Sequence, residues 1–399
     1  MKKIGIIFLI LSFFTIDAAV NNIKKNDNIV KAEIKEIRAV YISYLEYYDN
    51  FSGGSKTINQ SKIDKMINNL KMDKFNTIIL HVSPFSDSIY NSKIFPYSST
   101  LTGVEGKNPG FDYLDYFIKK AHLNNMQLYA WINPYRISFD NNINNLSKDN
   151  PALKFIDTTN IKIDKKGIYY NPASEIVKNL ILRGVEEIIN NYDVDGIHFD
   201  DYFYIQDDID KLEYKNYLKN NKEISLSEFR LNNTNDLIKR VYKTIKEKNS
   251  NISFSIAPDG NINNNYLYHF ADVKTWLKSN EYIDIIMPQI YYGFENEYSP
   301  FLKVLNNWEN LRINKNIKIV PVLAYYKLGL IDKEAGIGKE EWLNNDIIIN
   351  QINVIRNKKM DGYSLFRYDY LYNESLFNEV NSIECKKIKK INENSSQRK

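Results

Sequence analysis

The sequence has very little cysteine and histidine. Cys385 is its single cysteine, so no disulfide can form within one chain and no cysteine-based metal site can be built. Four histidines are few for a histidine-rich metal centre, although a site made from His81, His198 and Asp200 stays an alternative. We therefore expect no bound metal and no other cofactor.

Several other features are missing. The formal net charge of +4 is small for 399 residues and charges of both signs are interspersed, which disfavours a nucleic-acid-binding protein. The chain has no Gly-x-Ser-x-Gly elbow, and no Gly-rich phosphate loop follows the first apolar run. These absences argue against a serine hydrolase of that type and against an open nucleotide-binding sheet.

The amino-terminal apolar run, from Ile4 to Ile16, is too short to span a bilayer comfortably. Two lysines precede it and small residues follow it, which is the order of a secretory signal. We predict a signal peptide or uncleaved anchor over residues 1–19, with weak membrane attachment if it is uncleaved, and a polar linker over 20–35. The predicted location is therefore secreted or cell-envelope. A buried first helix is the alternative.

Eight short apolar runs recur along the remaining chain, each followed by a longer stretch of helical character. The runs are Ile37–Ser43, Thr77–Ser83, Gln127–Asn133, Val194–Asp200, Ile252–Ala257, Tyr282–Tyr291, Ile317–Ala324 and Gly362–Arg367. Alternating strands and helices indicate parallel β/α units, and eight units favour closure into a barrel. The predicted fold class is α/β, a single-domain (β/α)8 TIM barrel over residues 36–383, followed by a disordered polar tail over 384–399.

Helices are expected between these runs. They are Lys62–Lys71, Tyr113–Asn124, Ile176–Asn190, Asn235–Glu247, Phe301–Asn310 and Ile347–Asn357, with a long insertion over Asp207–Leu231. Active sites of such barrels lie at the carboxyl ends of the strands, so the polar residues that end each run are the candidates.

The fourth run has the most informative end, Gly196 to Tyr202. Strand side chains alternate between faces, so His198 and Asp200 face the barrel axis and Asp201 lies at or just past the mouth. A buried carboxylate is costly unless it is paired or functional, which makes both aspartates catalytic candidates. The alternative is that either one caps a helix or pairs with a buried arginine.

Polar and aromatic residues at the other strand ends complete the predicted site. Asp259 follows the fifth run and is a third catalytic candidate, while Glu46 and Glu295 compete with Asp201 and Asp259 for the role of acid. A glycosidase needs an acid, a nucleophile or base, and amides, hydroxyls and rings that hold sugars. The residues with predicted substrate-binding roles at these strand ends are His81, Trp131, Asn133, Tyr135, Arg136, His198, Gln289 and Tyr291.

Three segments carry a family resemblance: the stretch from Phe75 to Tyr135, the sequence GIHFDDYF and the sequence MPQIYYGF. Together they resemble the glycosyl-hydrolase-like family 10 barrels. These are exported proteins that include a cell-division glycoside hydrolase acting on peptidoglycan glycan strands stripped of peptides. The resemblance covers about Glu36 to Tyr370.

The resemblance implies roles for particular residues. By it, Asp200 and Asp201 match a paired-aspartate element, and Arg230 and Asn232 resemble an Arg-x-Asn element that binds substrate. Asn133 and Arg136 match a Trp-x-Asn-Pro-Tyr-Arg element, and Gln289 and Tyr291 match a Pro-Gln-x-Tyr element. The sequence departs from the family at Ile205, where a proline is expected, and it lacks the lipoprotein cysteine of some members.

The favoured function is an exported glycoside hydrolase that cleaves glycan strands, with peptidoglycan as the expected polysaccharide partner. One alternative is a non-catalytic barrel that binds cell-wall glycan. Another is a hydrolase of a different extracellular polysaccharide. Retention or inversion of the anomeric centre depends on the carboxylate separation, which the sequence does not give.

Overall fold

The computed structural model describes residues 36–200, 203–205, 208–220 and 223–397. The predicted signal and linker over residues 1–35 and the catalytic candidate Asp201 therefore lie outside the described residues. In the part of the chain that is described, no helix is both long enough and apolar enough to cross a membrane.

The strands alternate with helices along the chain. In chain order they are β1 (Ile37–Ile42), β2 (Thr77–Ser83), β3 (Gln127–Ile132), β4 (Arg136–Ser138), β5 (Ile161–Asp164), β6 (Gly167–Tyr170), β7 (Gly196–Phe199), β8 (Ser253–Ile256), β9 (Ile285–Ile286), β10 (Gln289–Ile290), β11 (Lys318–Ile319), β12 (Val322–Leu323) and β13 (Gly362–Leu365). All strands except β4, β5 and β6 belong to one parallel sheet.

That parallel sheet closes into a barrel of eight strands. β9 and β10 are halves of one strand interrupted at Pro288, and β11 and β12 are halves of another interrupted at Pro321, because proline has no N–H for the ladder. β8 pairs with β9, and β9 with β11; β10 pairs with β12, β12 with β13, and β13 with β1. The predicted (β/α)8 fold is confirmed.

Helices form the outer layer. Those of eight residues or more are Tyr44–Phe51, Lys56–Met72, Tyr113–Leu123, Glu175–Asn191, Lys211–Asn220, Leu226–Lys248, Phe301–Leu311, Ile347–Asn357 and Glu379–Gln397. Shorter ones are Ser99–Thr102, Ile262–Asn264, Val273–Trp276 and Tyr368–Tyr372. The helix Glu175–Asn191 is representative, since Ser174 caps its first turn and Val177, Ile181 and Val185 form a buried stripe at helical spacing.

The structure corrects the predicted disordered tail over residues 384–399. Residues 379–397 form a helix that packs against the helices Ile347–Asn357 and Tyr368–Tyr372. Ile388 and Asn392 are buried, and Asn392 Oδ1 accepts a hydrogen bond of 2.7 Å from the Tyr363 hydroxyl. The stripe of buried positions at helical spacing explains why a segment rich in Lys and Asn is ordered by its contacts with the barrel.

A small antiparallel sheet was not expected from the sequence. β4, β6 and β5 form it in that order, within the long connection between β3 and β7. Its first strand begins at Arg136, only four residues after β3 ends. This small sheet therefore changes the direction of the chain at the carboxyl end of the barrel, where the candidate residues lie.

Candidate active site

A cleft lies at the carboxyl ends of the barrel strands. Its lining residues come from the ends of β1, β2, β3, β7, β8, β10, β12 and β13 and from the connections that follow them. They are Tyr41, Ser43, Tyr44, Leu45, His81, Trp131, Asn133, Arg136, Phe139, Asp200, Ala257, Gln289, Tyr291, Tyr326 and Phe366. This is the end of a (β/α)8 barrel where active sites lie.

Asp200 is the carboxylate among these lining residues. It follows directly after β7, whose Phe199 side chain packs among the outer apolar residues, so Asp200 faces the axis as the strand alternation predicts. Asp200 is 4% exposed, and its Oδ2 accepts a hydrogen bond of 3.3 Å from Trp131 Nε1. The indole thus fixes one carboxylate oxygen on the cleft surface.

His198 lies deeper in the barrel and does not line the cleft. Its Nε2 is 3.1 Å from the Tyr41 hydroxyl and its Nδ1 is 2.8 Å from Ser255 Oγ, so both ring nitrogens have protein partners. Burial lowers the pKa of His198 to about 3, which keeps the imidazole neutral. The predicted direct contact of His198 with substrate has no support in this geometry; His198 instead supports Tyr41 in the cleft.

His81, Asn133 and Arg136 form one side of the cleft, which we call the polar wall. The His81 ring stacks on the Trp131 ring, with centroids 3.6 Å apart and planes within 10°. Among the residues that the structure describes, neither His81 ring nitrogen has a hydrogen-bond partner, and neither does Asn133 Oδ1. Burial, together with the nearby charge of Arg136, lowers the pKa of His81 well below its usual range.

Aromatic side chains flank the polar groups on two sides. On one side the Tyr44 and Phe85 rings meet edge to face at 4.8 Å, and Phe139 packs 5.0 Å from Phe85. On the other side Tyr291 packs against Tyr326 at 5.7 Å and against Phe366 at 6.0 Å. Rings that present an apolar face beside polar groups suit the binding of sugars.

The structure brings most of the predicted substrate-binding residues together. Gln289 lines the cleft, with its Nε2 donating a hydrogen bond of 2.9 Å to the Ala257 carbonyl. Tyr135 does not line it: its side chain is buried in the apolar core. β3 ends at Ile132 and the chain bends at Pro134, so the strand alternation no longer predicts the direction of Tyr135.

Asp259 lies beside the cleft, fully engaged by its own loop. Its oxygens accept hydrogen bonds of 2.6 Å from Asn261 N and 3.0 Å from Asn264 Nδ2, and His269 Nε2 is 3.7 Å away. Burial opposes its ionisation, but the nearby His269 and the hydrogen bonds from Asn264 and Asn261 together outweigh burial and lower the pKa of Asp259. Asp259 is therefore an ionised loop anchor that does not line the cleft.

Arg230 and Asn232 also lie away from the cleft. Both belong to the helix Leu226–Lys248, on which Asn232 is exposed. Arg230 is buried and donates hydrogen bonds of 2.9 and 2.7 Å to the two oxygens of Asp210. We therefore leave both residues out of the candidate site.

The two glutamates that competed for the role of acid have other partners. Glu46 is fully buried, accepting a hydrogen bond of 2.7 Å from Ser43 N and forming a 2.5 Å ion pair with Arg367. Arg367 is also 3.5 Å from Asp369, whose pKa burial and the charge of Glu46 raise to about 7. Glu295 is exposed and does not line the cleft.

Several cleft residues were missed by the sequence analysis. They are Tyr41, Ser43, Tyr44, Leu45, Phe139, Ala257, Tyr326 and Phe366. A signal existed for Tyr41 and Ser43, which end the first apolar run with the same alternation. Phe139 follows the unexpected strand β4, so no strand-end pattern pointed to it. Within the described segments, no group of three or more His, Cys, Asp or Glu side chains is placed to hold a metal ion.

The family model described as glycosyl hydrolase-like 10 matches residues 36–336, which include most of the barrel. The chain belongs to glycosyl hydrolase-like family 10. This membership confirms the resemblance seen in the sequence and the enzyme class expected from it, a glycoside hydrolase.

Curated relatives agree with this assignment. The chain is 29% identical over 345 residues to the glycosyl hydrolase YngK of Bacillus subtilis, covering 81% of this chain and 67% of YngK. It is 28% identical over 346 residues to the glycosyl hydrolase DigH of Escherichia coli, covering 78% of this chain and 76% of DigH.

Solved structures share the fold at low sequence identity. The glycoside hydrolase domain of PgaB (BpsB) from Bordetella bronchiseptica has a TM-score of 0.59 and 13% identity, covering 85% of this chain and 96% of that domain. The endo-1,4-beta-mannanase from Rhizomucor miehei has a TM-score of 0.56 and 10% identity, and the match covers 91% of this chain and 96% of the mannanase. At such identities these matches bear on the fold alone.

Proposed function

We propose that this protein is an exported glycoside hydrolase that cleaves peptidoglycan glycan strands, with peptide-free strands as its preferred substrate. The observation that carries the proposal is Asp200, a carboxylate at the strand ends that faces a cleft flanked by aromatic rings on both sides. Glycoside hydrolysis passes through a transition state that resembles an oxocarbenium ion, and a carboxylate next to the sugar ring stabilises that charge.

In the proposed reaction Asp200 acts as the nucleophile or as the stabiliser of the developing positive charge. Trp131 Nε1 holds one of its oxygens, which leaves the carboxylate oriented toward the cleft. The acid that protonates the leaving oxygen is a separate group. Because Asp259 and Glu46 are engaged elsewhere and Glu295 does not line the cleft, the sequence leaves Asp201 as the favoured acid.

The choice of peptidoglycan has two supports. The cleft presents aromatic rings and polar groups, among them the Arg136 guanidinium, which suits a sugar strand whose lactyl carboxylates are freed when the peptides are removed. The family resemblance described in the sequence analysis also includes a hydrolase of peptide-free strands. A hydrolase of another extracellular polysaccharide would need the same rings and the same carboxylate. The products formed from purified substrates therefore distinguish the two.

The test is incubation of the purified protein with peptide-free and peptide-bearing peptidoglycan, with products identified by mass spectrometry. We expect shorter glycan fragments from the peptide-free strands and few or none from the peptide-bearing material. The Asp200→Asn variant is the control for contaminating hydrolases. Cleavage of an unrelated polysaccharide, with neither form of peptidoglycan cut, would reject peptidoglycan as the substrate.

Export is part of the proposal because peptidoglycan lies outside the cytoplasmic membrane. Export is supported by residues 1–19, in which two lysines are followed by a short apolar run and then by small residues. Deleting residues 1–19 should leave a folded, active protein that stays in the cytoplasm, as fractionation and a hydrolysis assay would detect. If the deletion destroys folding of the purified protein, the segment belongs to the domain and the export argument fails.

A further inference from the structure

The polar wall contains buried polar atoms that no described residue satisfies. His81 is 2% exposed and Asn133 is 4% exposed, yet both His81 ring nitrogens and Asn133 Oδ1 lack a hydrogen-bond partner. Such atoms cost folding free energy, so their presence in a native structure calls for an explanation. Both residues line the cleft, which indicates that a ligand supplies the missing partners.

The chemistry of the wall restricts that ligand. Because burial and the neighbouring charge of Arg136 lower the pKa of His81, its ring is neutral and offers one N–H donor and one acceptor nitrogen. Stacking on Trp131 holds the ring in one plane. Asn133 Oδ1 adds an acceptor, so the wall offers a donor and an acceptor from adjacent strand ends.

We propose that His81 and Asn133 form a specificity subsite for the 2-acetamido group of a glycan sugar. The acetamido carbonyl would accept from the His81 ring N–H, and the acetamido N–H would donate to Asn133 Oδ1. The inference rests on the proposed function, because it places an amino-sugar glycan in the cleft.

Two other sugar substituents fit this subsite less well. A free 2-amino group has no carbonyl oxygen to accept from the His81 N–H, and its protonated form would be repelled by the guanidinium of Arg136 in the same wall. A 2-hydroxyl is shorter and offers one oxygen in place of a separate carbonyl and N–H, so it matches the two wall groups less fully than an acetamido group does. The subsite therefore distinguishes the acetamido sugar from both.

The test is calorimetric binding of three β-1,4-linked hexasaccharides, made of N-acetylglucosamine, glucosamine or glucose, to the full chain carrying Asp200→Asn to prevent turnover. We expect the N-acetylated hexamer to bind at least about tenfold more tightly than either of the others. Adding His81→Phe keeps a flat ring on Trp131 and removes both nitrogens, so the preference should fall to about threefold or less.

Two further variants make the result interpretable. His122→Gln is the matched control, because His122 lies on the helix Tyr113–Leu123 and its Nε2 contacts Asp195, outside the cleft. It should keep the full preference. Asn133→Ala removes the second partner and should lower the preference independently, so the subsite remains testable if the His81 variant does not fold.

The outcomes separate this inference from the proposed function. Cleavage of peptide-free peptidoglycan without any acetamido preference, or a preference unchanged in both wall variants, overturns the subsite alone. The protein could instead prefer the acetamido sugar, lose that preference in the wall variants and cleave no peptidoglycan. That outcome supports the subsite and rejects the proposed substrate. Binding of none of the three hexasaccharides overturns the subsite.

Discussion

Arg230 and Asp200 are both buried ionisable residues, but their surroundings differ. Arg230 belongs to the helix Leu226–Lys248, and Asp200 lines the cleft. Arg230 forms two hydrogen bonds with Asp210, and its guanidinium lies 5.3 Å from the Tyr204 ring centre and 4.9 Å from that of Phe270. Asp200 faces the cleft, next to a wall with unsatisfied polar atoms. Removing one member of a buried ion pair leaves an uncompensated charge and destabilises the fold, whereas a buried carboxylate that faces space for a ligand is a candidate for chemistry.

Arg230→Met should have the largest effect on stability. It leaves the buried Asp210 carboxylate without its guanidinium, which should lower the free energy of unfolding by about 3–5 kcal/mol. Denaturant unfolding measures the loss, and turnover per folded molecule should stay near the parent value. Adding Asp210→Asn should recover much of the stability. Lost turnover at unchanged stability would instead return Arg230 to the substrate-binding residues.

Asp200→Asn tests whether the buried carboxylate that faces the cleft takes part in catalysis. Loss of the nucleophile or charge stabiliser should lower turnover by a factor of roughly 10² or more, while the protein still folds. The matched variant Asp259→Asn removes a carboxylate outside the cleft and should cost much less turnover. Near-parent turnover in Asp200→Asn would contradict the catalytic role, and failure to fold would make Asp200 a structural ion-pair partner.

Asp369 provides a third case, a buried carboxyl behind the cleft with a pKa raised to about 7. In the unfolded chain this group ionises near its usual value of 3.8, so between about pH 4 and 7 the unfolded state alone loses the proton. The stability contributed by protonated Asp369 is therefore complete below about pH 4 and is lost as pH rises toward 7.

Asp369→Asn should remove that dependence. As the pH rises from about 4 to 7, the free energy of unfolding should fall more steeply in the parent than in the variant. The two slopes should differ by up to about 1.4 kcal/mol per pH unit. Parallel urea titrations at several pH values give the difference. Parallel curves of unfolding free energy against pH for parent and variant would contradict a raised pKa of Asp369. A variant that is more stable than the parent only at acidic pH would indicate that the pKa of Asp369 is lowered instead of raised.

Tyr291→Ala should have the smallest effect and sharpens the description of the cleft. Tyr291 lines the cleft beside Tyr326, so removing its ring should weaken glycan binding by about 1 kcal/mol, roughly fivefold. A pull-down with purified glycan measures the binding, and a thermal melt should move little. Tyr298→Ala, an exposed ring outside the cleft, is the control. Equal binding by parent and Tyr291→Ala would make Tyr291 a packing residue.

Much of the fold could be predicted because its signals are local. The eight apolar runs coincide with the barrel strands, and β2 occupies Thr77–Ser83 as predicted. The helix Glu379–Gln397 was missed because Lys and Asn dominate its composition. Its order comes from distant contacts, such as the hydrogen bond from Asn392 Nδ2 to the Asp73 carbonyl.

The sequence by itself determined which residues end the barrel strands and, through the alternation of side chains, that Asp200 and Gln289 meet at one cleft. Only the tertiary structure decided which charges are paired, because partners such as Glu46 and Arg367 are 321 residues apart in sequence. Alternation is a property of each strand and is written locally. Pairing depends on which distant segments the closed barrel brings together, and no local pattern encodes it.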